Sequence, residues 1–176
     1  MKLYHTGSQI IREPDVRYGR KNADFGQGFY LTPDLDFARR WARDNAILNE
    51  YELDLSGLTV HRFSRDTDWF EYIFHNRRAS DSLHADVVIG PIANDTIFDT
   101  LGMIISGYLA PEEALKLLLI GPEYTQVAVK TERAAWQLRW LAAEPVPRQD
   151  EEQHAREQNE YLQAFTAALV ELAGGE

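Results

Sequence analysis

Short β-prone runs and helical stretches follow one another irregularly along this chain, and that order constrains its fold more than any other feature. Residues 2–5 read as a first strand, ended by Thr6-Gly7-Ser8, and residues 28–32 (Gly-Phe-Tyr-Leu-Thr) as a second, aromatic one. Residues 48–55 alternate, with Leu48, Glu50, Glu52 and Asp54 set against Tyr51, Leu53 and Leu55; residues 59–63 look like a further strand across the Ser56-Gly57 turn. Residues 86–92 form a continuous apolar run and residues 125–130 alternate again. Helical spacing appears after Pro33-Asp34, in Leu35, Ala38, Trp41 and Ala42, and over residues 69–78, 96–108, 111–119 and 131–140. A doubly wound parallel sheet needs strands and helices in regular alternation. Their absence here favours an α+β fold.

Two segments stand apart from this body. Residues 9–24 hold Pro14, Gly19 and Asn22 without any clear period, so they read as an irregular loop, and a loop of that length in a compact domain is usually functional. Its Arg12, Arg17, Arg20 and Lys21 form a candidate basic patch. Pro145 and Pro147 mark a boundary, so residues 1–144 are expected to form one domain and residues 145–176 a linker with an acidic amphipathic helix. In that helix Tyr161, Leu162, Phe165, Ala168, Leu169 and Leu172 share one face, ended by Gly174-Gly175. Docking on its own domain, dimerisation and partner binding are all open to it.

Composition closes off several kinds of chemistry. The chain has no cysteine, which excludes disulfides, thiolate metal sites and a cysteine nucleophile. His61, His75, His84 and His154 lack metal-ligand spacing, so no metal is expected. The net charge of −10 argues against non-specific grip on nucleic-acid phosphates. The N-terminus has no apolar core of signal-peptide length, and charges interrupt the most apolar stretch, residues 101–120. A cytoplasmic protein without membrane contact is the expectation.

Three segments carry the functional reading: Leu3-Tyr4-His5-Thr6-Gly7-Ser8; Asp24-Phe25-Gly26-Gln27-Gly28-Phe29-Tyr30-Leu31-Thr32, followed by Ala38 and Trp41-Ala42; and Tyr124-Thr125-Gln126-Val127-Ala128-Val129-Lys130-Thr131. In order and character they resemble the ADP-ribosyltransferase superfamily, in its His-Tyr-Glu branch, over about residues 1–140. The nearest likeness is to uncharacterised bacterial domains of that superfamily. The resemblance implies split β-sheets with flanking helices. It also implies transfer of ADP-ribose from NAD to a macromolecular acceptor, protein or nucleic acid, with release of nicotinamide. Bacterial members are often toxins, so an antitoxin protein is an implied partner. A non-catalytic NAD-binding or partner-binding domain and an NAD glycohydrolase are the other readings.

The residue types suit the ligand. The His5 imidazole can hold a ribose hydroxyl, with Thr6 and Gly7 beside it. Tyr30 offers an aromatic face to nicotinamide, and Thr32 lies on the same side of the strand. Gly26 and Gly28 allow close backbone approach. Arg20 either meets the NAD pyrophosphate or is simply solvated. The superfamily commonly has a glutamate at the third position, where this chain has Gln126, so a ribose contact survives but the negative charge is missing. On the resemblance alone, glutamate at 126 is expected to restore it. Asp95 is the candidate replacement acid, and equally a cap for the helix that follows.

Overall fold

The structure is a computed structural model that describes residues 1–40, 42, 45–93, 110–147 and 151–173. Its strands form two sheets. The first has the order β1 (Lys2–Gly7), β3 (Ile47–Leu53), β7 (Leu138–Pro145), all antiparallel. The second has the order β2 (Phe29–Leu31), β6 (Thr125–Val129), β5 (Val87–Pro91), β4 (Val60–Arg62), antiparallel except between β4 and β5. The helices are α1 (Leu35–Arg40), α2 (Thr67–Asn76), α3 (Pro111–Leu118), α4 (Glu132–Trp136) and the C-terminal α5 (Glu151–Ala173). The class is therefore α+β. No helix among the described residues is long and apolar enough to cross a membrane.

The second sheet is covered on both faces, which explains why β5 reads as a continuous apolar run. Phe29, Leu31, Val87, Ile89, Val127 and Val129 meet Leu3, Tyr51, Leu53 and Leu138 of the first sheet. On the opposite face Val88 and Ala128 pack with Phe25 and with Trp69, Phe70 and Ile73 of α2. The Trp69 indole is fully buried, and its Nε1 donates to the Pro91 carbonyl at 3.0 Å. Asp66 caps α2 by accepting from the Trp69 amide, which fixes where that apolar face begins.

Two expectations are corrected. Residues 59–63 do form a strand, but β4 does not pair back across the Ser56-Gly57 turn; it runs parallel to β5, with Val60 opposite Val87. Gly57, at φ 72°, turns the chain from one sheet to the other, and the Asp86 carboxylate accepts from the Thr59 amide at 2.8 Å. The helix read over residues 131–140 stops at Trp136. Gln137 then donates through Nε2 to the Asp54 and Ser56 carbonyls, and Leu138 enters β7 opposite Leu53. The free edge of β3 outweighs the helical propensity of that stretch.

The boundary drawn after residue 144 falls inside β7, which runs to Pro145. Beyond it, α5 docks on the body: Phe165 and Leu117 form a small buried cluster flanked by Ile120, Tyr161, Ala168, Leu169 and Leu172. Glu157 on α5 also meets Arg40 at 3.4 Å. The helix expected over residues 96–108 lies outside the described residues, as does Asp95.

Candidate functional site

The two sheets pack face to face, and among the described residues one pair bridges their backbones. Tyr4 and Thr32 exchange both backbone hydrogen bonds, at 2.8 and 2.9 Å. A regular antiparallel ladder would next pair Thr6 with Tyr30. Instead His5 Nδ1 lies 2.8 Å from the Tyr30 carbonyl, so an imidazole meets the acceptor where the strands part. A carbonyl only accepts, so Nδ1 carries the proton, and in the neutral ring Nε2 is left as a pure acceptor. That nitrogen faces Gly7, where an added Cβ would come within 3.2 Å. The Thr6 hydroxyl donates to the Ala38 carbonyl and the Thr32 hydroxyl to the Thr125 carbonyl, so both threonines tie elements together.

Burial lowers the His5 pKa from its ordinary 6.5, opposed by the Tyr30 carbonyl. A histidine whose folded pKa is depressed adds stability that is present in full above its unfolded value, about 6.5, and fades as pH falls towards the folded one. His5→Asn removes the titration and keeps a side-chain amide donor. Unfolding free energy from urea titrations at pH 7.5 and 5.5 is expected to drop more for wild type than for His5→Asn. Equal drops would mean that His5 does not titrate between those values.

Tyr30 sits opposite Ala128, so its side chain shares that face of the second sheet with Gln126, whereas Phe29, whose ring lies 4.4 Å from that of His5, shares the opposite face with Val129. His5 therefore meets the backbone of Tyr30, not its ring. The Tyr30 hydroxyl donates to the Gly26 carbonyl at 2.7 Å and accepts from the Phe25 amide at 2.9 Å, pinning the turn before β2. Burial holds this phenol well above its usual pKa and the Asp24 charge adds to the shift; the Phe25 amide and the Arg20 charge oppose it. Gly26, at φ 77°, has no room for a side chain, because a Cβ would fall 2.5 Å from the Asp81 carboxylate. Gly28 is equally confined, by the Val129 carbonyl at 2.7 Å. Asp81 is held in turn by Lys130 and by the Tyr72 hydroxyl.

The face shared by Tyr30 and Gln126 carries a polar network that sequence reasoning missed. Gln126, 8% exposed, donates through Nε2 to Asp24 Oδ2 and to the Pro91 carbonyl, both at 3.2 Å. Both neighbours are acceptors, so the amide orientation is set by the network. Its Oε1 accepts from no described residue. Asp24 forms an ion pair with Arg77, whose Nε lies 2.8 Å from Oδ1, and both side chains are nearly buried. Asn76, fully buried, donates to the Asp24 carbonyl at 3.0 Å. Asp24 opens the glycine-aromatic motif, which was its only signal in the sequence; Arg77, at the end of α2, gave none.

Of the residues expected at the site, Gln126 donates to Asp24 and the Tyr30 hydroxyl donates to Gly26, while the His5 ring lies against Phe29, on the other face of β2. Among the described residues no group of three or more acidic or histidine side chains could hold a metal ion. A family model described as "Protein of unknown function (DUF3990)" matches residues 1–140, which covers the body but not α5. No curated protein and no solved structure matches the chain.

Proposed function

We propose that this chain, which belongs to the DUF3990 family through residues 1–140, is an NAD-dependent ADP-ribosyltransferase that modifies a macromolecular acceptor. The observation that carries the reading is the parting of β1 from β2, where His5 Nδ1–H donates a hydrogen bond to the Tyr30 carbonyl and Nε2 is left as an acceptor. A ribose hydroxyl is a suitable donor to it. Further support comes from the two-sheet α+β architecture and from the order of His5, Tyr30 and Gln126 along β1, β2 and β6, the order that the superfamily resemblance implies.

In this reading the bond between ribose and nicotinamide breaks and the bonding pair leaves with nicotinamide. The acceptor's nucleophile bonds to the ribose carbon and loses its proton to solvent water. Positive charge builds on the ribose meanwhile. Gln126 offers Oε1 to a ribose hydroxyl and has no charge of its own; Asp24, one hydrogen bond away, supplies one. This arrangement favours turnover over the alternative of a binding domain that has lost its acid. A bacterial toxin role, with an antitoxin as partner, belongs to the same proposal.

The test is binding and turnover of NAD. At a hundredfold excess over Kd, a ligand that binds only the folded state adds about 2.7 kcal/mol, or about 5–10 °C in Tm for a chain of this size. We expect such a rise with NAD, its loss in His5→Ala, and free nicotinamide accumulating with wild type. Label on protein or nucleic acid separates transfer from glycohydrolysis, in which water takes the ribose. An unchanged Tm at millimolar NAD rejects the reading.

A further inference from the structure

We propose that residues 9–21 and α4 form a docking platform for a single-stranded nucleic acid, which makes such a strand the acceptor. The acceptor role rests on the transferase reading; strand binding does not, and is measured without NAD.

Tyr18 is 94% exposed and Trp136 82% exposed, so neither ring contributes much to the protein's own core. They belong to one surface. Arg17 Nη1 meets Glu132 Oε1 at 3.5 Å, which sets the 3-10 turn Val16–Tyr18 beside the first turn of α4. Trp136 stands one turn on from Glu132, on the same helix face. The two exposed rings thus flank a single ion pair. Along the same loop the Arg12 guanidinium lies 4.9 Å over the Trp140 ring, and the Arg17 and Gly19 carbonyls accept from Nε2 of Gln27, the residue between Gly26 and Gly28, at 2.6 and 3.1 Å. The platform therefore reaches the rim of the candidate site.

Charge points to the occupant. Residues 9–21 carry four cations and two acids, a local surplus of +2, while the rest of the chain carries −12. Of those four cations only Arg17 is in a salt bridge among the described residues, with Asp15 and Glu132. A polyanion is repelled over most of the molecule and admitted here. Exposed rings next to unpaired cations suit a strand whose bases are free to stack while its phosphates meet the cations. A duplex keeps its bases stacked on one another and gains nothing from the rings.

The experiment is fluorescence anisotropy of fluorescein-labelled oligo(dT) and oligo(U), with a hairpin duplex for comparison, on the full chain at low and high salt. Wild type is expected to bind a single strand, more weakly as salt rises, and to ignore the duplex. Tyr18→Ala and Trp136→Ala are each expected to weaken binding about tenfold. The double variant Arg12→Gln, Lys21→Gln should flatten the salt dependence. Melting curves should match wild type, because all four side chains lie on the surface. Preference for one oligonucleotide assigns the strand to DNA or RNA. No binding at low salt, equal binding of the duplex, or affinity unmoved by these variants overturns the platform. So does a protein partner that is lost in the same variants when no oligonucleotide binds. Strand binding without any NAD binding removes the transferase reading and leaves the platform; NAD turnover without strand binding does the reverse.

Discussion

Gln126→Glu is expected to cost about 3 kcal/mol of stability at neutral pH and to slow nicotinamide release, although the superfamily resemblance alone points the other way. The amide gives both Nε2 hydrogens to acceptors, Asp24 Oδ2 and the Pro91 carbonyl. A carboxylate in its place has no hydrogen to give and faces another carboxylate in a site only 8% exposed. A hydrogen bond to a charged group is worth about 1.5–3 kcal/mol, and like-charge repulsion adds to its loss. The new carboxyl can escape by taking up a proton, so its folded pKa is raised above the unfolded value, about 4.3. The sign follows: its penalty is absent below that value and grows as pH rises through the folded pKa. Urea titrations at pH 5 and pH 8 are expected to show Gln126→Glu nearer to wild type at the lower pH. A variant as stable as wild type at pH 8, and faster in releasing nicotinamide, would show that Gln126 does not answer to Asp24.

That reversal marks what the sequence could and could not tell. The α+β class was legible from irregular element order, and β1, β2, β5 and β6 from composition, because their burial is dictated by their own residues. The pairing of β4 with β5 was not, since a turn such as Ser56-Gly57 does not say which sheet the chain enters next. The end of α4 was not, because residues 131–140 favour a helix locally and only the free edge of β3 draws Leu138 away. At the candidate site, motif order singled out His5, Tyr30 and Gln126. It did not single out their partners. Asp24 and Arg77 lie far apart in the chain and meet only because α2 packs over the face of the sheet that carries Gln126. The sequence pointed to Gly26 and Gly28 for ligand approach, and the structure supplies a second reason for glycine at both positions, the nearness of Asp81 and Val129.

The largest effect is expected at the Asp24–Arg77 pair. Asp24→Asn leaves a guanidinium whose side chain is 11% exposed without its carboxylate, and removing one partner of a buried pair costs about 3–5 kcal/mol. Arg77→Gln strands Asp24 in the same way. Replacing both with neutral groups is far cheaper than the sum, because each single change unbalances a nearly buried charge and the double change removes both charges together. A double-mutant cycle read by urea denaturation should therefore give a coupling energy of about 2–3 kcal/mol. The double variant also separates structure from chemistry. It is expected to fold and to bind NAD, since His5 and Tyr30 are untouched. Yet it lacks the carboxylate that accepts from Gln126, and losing a preorganised electrostatic contact typically costs about 10²–10³ in rate. Nicotinamide release should fall by that factor while NAD affinity, read by calorimetry, stays near wild type. If release survives in a folded double variant, Asp24 only holds the turn before β2, and the charge that steadies the ribose comes from another group.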